Sequence, residues 1–221
     1  MNNLWAGVVK ARLVTDRVCV FYSGGKDSAV TLDLCARYFP RVDVVFMRLG
    51  PVLSFQRACL AWVERRYGIK PHVVPHPMLA EWLKYGTYRE PDLDIPIIRF
   101  LDVYTYARHL TGTWWIAAGE RISDSIIRRA MIKQGGGTIN EQRGRFFPIA
   151  DWSKPDIIAY CKHHKLKVAP EYRTLGFSFR SLADQDLWLI RRHYPEDFEA
   201  IRAWFPYCGV GVARYEMGMA L

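Results

Sequence analysis

The sequence predicts an α/β protein: an open, mostly parallel twisted sheet of about five strands with helices on both faces, followed by a C-terminal helical appendage. Three observations predict it. Apolar runs of strand length alternate with helix-length runs, the pattern of successive strand–helix–strand units. The first apolar run, Val18–Tyr22, leads directly into Ser23-Gly24-Gly25-Lys26-Asp27-Ser28 and then a helical stretch. A later apolar run, Trp114–Ala118, delivers a second polar turn, Gly119-Glu120-Arg121-Ile122-Ser123-Asp124-Ser125. In open sheets of this kind ligands sit at the carboxyl ends of the strands, so both turns are expected at one edge.

Each element has its own signal. Val18–Tyr22 is the first strand. Ser28–Phe39 reads as a helix, with Val30, Leu34, Cys35 and Phe39 at helical spacing. Val42–Met47, between Pro40 and Gly50, is the second strand. Phe55–Tyr67 is helical and ends at Gly68, and His72–Val74 is a short third strand. Met78–Leu83 suits a short helix. The irregular stretch from Gly86 to Pro96 suits a lid or substrate loop. Arg99–Leu110 is helical, Trp114–Ala118 is the fourth strand and Phe146–Ile149 the fifth. Ser153–His164 is a helix with Ser153 as N-cap and Pro155 in its first turn. Leu182–Tyr194 and Glu196–Trp204 are helices split by Pro195. These runs divide the chain into a nucleotide-binding domain over residues 1–180 and a helical extension over 181–221 packed on it.

Composition narrows the function classes. A chain of 221 residues buries roughly 70% of its unfolded surface and needs no staples. Its five cysteines, at 19, 35, 59, 161 and 208, include no C-x-x-C pair, so neither a disulfide framework nor a zinc ribbon is indicated. No apolar run reaches membrane-span length, and the N-terminus lacks a signal-peptide core. A cytoplasmic protein with no membrane partner is expected. The net charge of +9 can steer ATP, an anionic small molecule or nucleic acid toward the surface. His72, His76, His163 and His164 read as surface or structural, and Trp114, Trp115, Trp152 and Trp188 most simply as core, with stacking on a base the alternative for any of the four.

The first polar turn suits phosphate at six consecutive positions. Gly24 and Gly25 let backbone N–H groups approach an anion, and the helix start adds unpaired donors and a positive dipole end. Ser23 and Ser28 offer hydroxyls, Lys26 a cation, and Asp27 a carboxylate able to hold Mg²⁺ through a phosphate. The plainer reading is a strand-to-helix turn with Ser28 as N-cap. The spacing is not that of Walker A, because Asp27 stands where Ser or Thr is needed, nor of G-x-G-x-x-G. In the second turn, Arg121 with Arg128 or Arg129 can share an anion through paired N–H donors. Its plainer reading is a helix capped by Ser123 or Asp124 with the arginines in solvent.

Ser23–Ser28 resembles the PP-loop, S-G-G-x-D-S, of the ATP pyrophosphatase superfamily, whose adenine nucleotide alpha-hydrolase-like fold matches the predicted sheet. Its members hold pyrophosphate in this loop and split the α–β bond of ATP. The second turn narrows the resemblance to the branch of phosphoadenosine phosphosulfate (PAPS) reductases and the adenylyl-transferring small subunit of ATP sulfurylase. Gly119, Arg121, Ser125 and Arg129 match that branch's G-x-R-x-x-x-S turn and following arginine. Phe147–Ile157 matches F-P-I-x-D-W-[ST]-x-x-D-[IV], and Pro170-Glu171-Tyr172 matches P-x-Y loosely. The resemblance spans about residues 16–180. It implies adenine contacts at Phe46, Met47 and Arg48; for Phe46 and Met47 a core role is the alternative.

Two departures bear on chemistry. Leu175-Gly176-Phe177-Ser178-Phe179-Arg180 carries no cysteine where iron–sulfur members have a pair, so no iron–sulfur cluster is expected. The E-C-G-x-H tail of cluster-free reductases is Tyr207-Cys208-Gly209-Val210-Gly211 here. Arg214 is a candidate to lower the Cys208 thiol pKa, and a buried bystander thiol is the alternative. Expected first is an adenylyltransferase or ATP pyrophosphatase in which Lys26, Asp27, Arg121 and Arg129 act on ATP and Mg²⁺, with an anionic small molecule or a nucleic acid as acceptor. The alternatives are a thiol-dependent PAPS reductase using Cys208, and a non-catalytic nucleotide- or nucleic-acid-binding protein. A homodimer is compatible with either enzyme.

Overall fold

The computed structural model describes residues 5–176 and 178–219, without the Ala6 side chain. Phe177 and the first four residues of the N-terminal reading lie outside it. The described chain forms a six-stranded sheet in the order β3-β2-β1-β4-β6-β5. The strands are β1 Arg17–Phe21, β2 Arg41–Arg48, β3 His72–Pro75, β4 Ile116–Ala117, β5 Ile139–Asn140 and β6 Arg145–Phe146. β1 pairs in parallel with β2 and β4, and β4 with β6, while β5 pairs antiparallel with β6. The fold is therefore α/β with a mostly parallel sheet. Strand order turns back between β1 and β4, which places the loops after these two strands at a topological switch point, where such sheets bind ligands.

The fifth predicted strand is displaced. Pro148 has no N–H to give a ladder, so the chain leaves the sheet after Phe146 and turns, with Ala150 N–H bonded to the Phe147 carbonyl at 3.1 Å. The sixth strand, β5, is too short to show as an apolar run.

Contacts divide the chain into two units. One comprises Met1–Phe46, Cys59–Val73 and Tyr104–Val168. It contains helices α1 (Ala6–Arg12), α2 (Lys26–Tyr38), α6 (Ile126–Gln134) and α7 (Lys154–His163), most of α3 (Ser54–Tyr67) and most of α5 (Phe100–Thr111). Its interior includes Val18, Val20, Leu32, Leu34, Ile116 and Phe146, all without exposed surface. Asp33 is buried with them, and accepts from Arg37 Nε at 2.6 Å, Tyr160 Oη at 2.8 Å and Tyr67 Oη at 2.8 Å. This one carboxylate ties α2 to α3 and α7.

The other unit comprises Met47–Ala58, Val74–Val103 and Ala169–Leu221. Its helices are α4 (Pro77–Tyr85), α8 (Glu171–Leu175), α9 (Asp184–His193), α10 (Pro195–Trp204) and α11 (Gly209–Glu216). Its core gathers Leu53, Phe55, Leu79, Leu187, Ile190, Phe205 and Cys208. The Gly86–Pro96 stretch is pinned rather than loose: Tyr207 N–H bonds the Tyr88 carbonyl at 2.8 Å, and Asp92 N–H bonds the Leu83 carbonyl at 3.1 Å. α11 is not visible in the sequence because Gly209 and Gly211 read as a turn. Gly211 is needed for packing: a Cβ there would stand 2.6 Å from the Tyr88 hydroxyl. Among the described residues no helix is long and apolar enough to cross a membrane.

Candidate nucleotide site

The loop after β1 is shaped by Gly24, whose φ of +82° lies in the left-handed region. Gly25 is extended and is the N-cap of α2, which begins at Lys26. Ser28 is therefore not the cap, as the plainer reading had it. It sits inside the first turn, where its Oγ donates to the Gly25 carbonyl at 2.9 Å and accepts from Ser23 N–H at 3.1 Å. The Ser23 and Ser28 hydroxyls lie 3.1 Å apart. A glycine cap brings no side-chain acceptor to the first-turn N–H groups, so the donors of this helix end face outward, the arrangement that suits an anion.

The loop after β4 lies against that first turn. A Cβ on Gly119 would come within 3.1 Å of the Asp27 carbonyl carbon and 3.2 Å of Ser28 N, so the two loops meet backbone to backbone. The next residues are fixed from below by the Phe147–Ile157 segment. Ile122 N–H bonds the Ala150 carbonyl at 2.9 Å, and Arg121 Nη1 reaches the Trp152 carbonyl at 3.4 Å. Trp152 is buried and packs against Trp5 and Tyr160.

The charged groups form one chain. Lys26 pairs with the Asp27 carboxylate. Asp27 Oδ1 stands 3.1 Å from Arg121 Nε. Arg121 Nη2 donates to Asp124 Oδ1 at 2.6 Å, and Arg128 Nη1 to Asp124 Oδ2 at 3.0 Å. The Asp27–Arg121 contact has ion-pair distance without hydrogen-bond alignment, so Asp27 Oδ1 and Arg121 Nε are both buried with no hydrogen-bond partner. Such groups are few in folded proteins. Ser125, rather than Ser123 or Asp124, caps α6, accepting from Arg128 N–H at 3.1 Å. Asp124 instead clamps both arginines, a role its place between two serines concealed.

Of the residues the sequence singled out, Ser23, Gly24, Gly25, Lys26, Asp27, Ser28, Gly119, Arg121, Ser125 and Arg128 come together here. Arg129 is exposed on α6 and joins no ion pair with these carboxylates. Phe46 is buried at 3% exposure in β2. Met47 and Arg48 open the other unit, where Arg48 stacks 4.8 Å from the Trp204 ring and donates to the Gly50 carbonyl at 2.9 Å. Among the described residues no three His, Cys, Asp or Glu side chains are grouped to hold a metal.

Cys208 lies in the core of the other unit with no exposed surface. Burial pushes its pKa up to about 11, and Arg202 only partly opposes this. Arg214 does not serve it. Arg214 Nε and Nη2 are given to Asp184 at 2.9 and 2.8 Å, and Nη2 also to the Tyr88 hydroxyl at 2.7 Å. Cys19 and Cys161 are likewise raised by burial, to about 12 and about 11.

Comparisons with known proteins give the chain a family and a fold. The family model described as phosphoadenosine phosphosulfate reductase domain matches residues 17–184. Proteins named phosphoadenosine 5′-phosphosulfate reductase from three strains of Xylella fastidiosa are 24% identical over 168 residues, covering 70% of this chain and 67% of theirs. Among solved structures, the phosphate complex of a PAPS reductase from Candida auris superposes with a TM-score of 0.56 at 15% identity, over 80% of this chain and 87% of that one. The nitrate complex of an NH3-dependent NAD synthetase from Campylobacter jejuni gives 0.50 at 16% identity, over 95% and 96%. At these identities the two structures bear on the fold alone.

Proposed function

The chain belongs to the phosphoadenosine phosphosulfate reductase domain family, and on that premise we propose that it is an enzyme that binds ATP in the PP-loop and adenylates an acceptor. The observation that carries this reading is the open first turn of α2 beside Lys26 and the unbonded Arg121 Nε. A polyphosphate entering there meets N–H donors and two cations. An acceptor oxygen then attacks the α-phosphorus in line. The new O–P bond forms as the Pα–O–Pβ bond breaks, and pyrophosphate departs with the electron pair. The acceptor's proton is lost to solvent.

Catalysis is positioning and charge neutralisation. Lys26 and the loop N–H groups stabilise the departing pyrophosphate, and Arg121 and Arg128 hold the α-phosphate or an anionic acceptor, with Arg129 close by in sequence on the same helix. A divalent cation fits this donor set, because Mg²⁺ is held by one or two carboxylates plus substrate phosphates and Asp27 Oδ1 makes no hydrogen bond. Asp27 would hold it, and it would neutralise charge on the leaving group.

The names of the Xylella relatives favour a second reading, in which the loop holds a sulfonucleotide and a thiolate of Cys208 attacks its sulfur. The burial of Cys208 weighs against it. The two separate cleanly by experiment. The chain is incubated with ATP and Mg²⁺, and separately with PAPS and a dithiol. Pyrophosphate release that survives Cys208→Ser supports adenylation. Sulfite release that Cys208→Ser abolishes, without pyrophosphate from ATP, overturns it.

A further inference from the structure

The stretch from Arg121 to Arg145 is charged out of proportion to its length. It carries six basic side chains against two acidic ones, so 25 residues hold nearly half of the net charge of +9. One acidic residue, Asp124, is taken up by Arg121 and Arg128. Arg129, Lys133 and Arg143 are exposed and make no ion pair among the described residues. At the head of the strip, beside the nucleotide site, Ile126 and Ile127 are 83% and 82% exposed, adjacent in sequence and both bare of cover. At its far end Trp114 is 53% exposed. The Arg108 guanidinium lies 4.1 Å from the Trp114 ring, and also donates to the Trp114 and Arg143 carbonyls. Gly144 makes room for the indole: a Cβ there would stand 2.4 Å from Trp114 Nε1. The nine residues of α6, about 13 Å of helix, carry the middle of the strip.

We propose that this strip binds a single-stranded nucleic acid, and that this strand is the acceptor. Only the second part rests on the adenylation reading. Phosphates pair with Arg129, Lys133 and Arg143, and unstacked bases cover Trp114 and the isoleucine pair. This is the combination of basic side chains and stacking surface that single strands use. A duplex hides its base faces and leaves Ile126, Ile127 and Trp114 uncovered. A second copy fits poorly, because a two-fold contact through this face sets its arginines against each other.

The test is fluorescence anisotropy of a labelled single-stranded 15-mer, as RNA and as DNA, with the full chain and no ATP. Saturable binding is expected. Three phosphate contacts give a log–log salt slope of about −2. The Lys133→Glu/Arg143→Glu double variant and Trp114→Ala should each weaken binding at least tenfold, and Ile126→Ser several-fold. All should keep wild-type circular dichroism and wild-type ATP affinity. Absence of saturable binding at low salt overturns the proposal. So does polyglutamate competing as well as the oligonucleotide, which marks a partner recognised by charge alone. So does an equal loss from Arg191→Glu/Arg192→Glu on α9, outside the strip. Because strand binding is read without ATP, its failure is distinct from a failure to release pyrophosphate.

Discussion

Two aspartates on one helix, six residues apart, have opposite surroundings. Asp33, in the middle of α2, receives Arg37, Tyr67 and Tyr160 within 2.8 Å, with Arg66 at 3.4 Å. Asp27, in the first turn, has Lys26 on one side and Arg121 at ion-pair distance, and its Oδ1 has no hydrogen bond. Both carboxylates are surrounded by cations, so charge alone does not distinguish them. The distinction is saturation. A buried carboxylate with every lone pair engaged holds helices together, and one left incompletely engaged beside an open helix end has capacity for a ligand.

The contrast breaks most visibly at Lys26. Lys26→Ala should lower pyrophosphate release by about 10²–10³-fold, the usual cost of removing one preorganised charge-stabilising donor. It should leave the melting temperature nearly unchanged, since Lys26 ties no helices together. Asp33→Ala should do the reverse. It strands two tyrosine hydroxyls and an arginine, at a cost of about 3 kcal/mol, or a fall in Tm of roughly 6–12 °C by calorimetry for a chain of this size. ATP affinity of the folded fraction should hold.

Smaller effects sharpen the same line. Gly119→Ala pushes a methyl group into the first turn of α2, so ATP affinity should drop about tenfold by titration calorimetry with only a modest loss of stability. Acid should unfold the chain partly through Asp33. Burial raises its pKa, but the hydrogen bonds from Arg37, Tyr67 and Tyr160 outweigh burial and leave it below the ordinary 3.8. A depressed folded pKa stabilises fully above the unfolded value, and that stabilisation is lost as pH falls through the folded one. Asp33→Asn should therefore flatten the Tm-versus-pH curve below about pH 4. The smallest effect is expected at Cys208. Alkylation by iodoacetamide at pH 7.5 should be slow in the native chain, because the thiol is buried and protonated, and Cys208→Ser should leave pyrophosphate release within about twofold.

The sheet and the phosphate loop were legible because each rests on local chemistry: apolar runs for the strands, and a glycine pair before a helix for the turn. The link between the loops was legible only as proximity at one sheet edge. That Gly119 lies against Asp27 depends on the β1–β4 pairing, which no local pattern encodes. The saturation of Asp33 was invisible for the same reason, since Tyr67 and Tyr160 come from distant helices. α11 was missed because Gly209 and Gly211 have low helix propensity, and the reason for Gly211, its packing against Tyr88, lies in a distant segment; the fifth strand was displaced because Pro148, two residues after Phe146, cannot extend the ladder. Trp114, read as core, is more than half exposed. It stands two residues before β4, where burial of the apolar run begins only with Trp115 and Ile116.

Calorimetric titration of ATP into three proteins bears most directly on the difference between Asp27 and Asp33. The wild-type chain and Asp33→Asn should bind with the same affinity in the folded state, and Lys26→Ala should bind at least tenfold more weakly. Equal binding by Lys26→Ala and the wild type, or loss of binding in folded Asp33→Asn alone, would contradict the assignment of the nucleotide site to the first turn of α2.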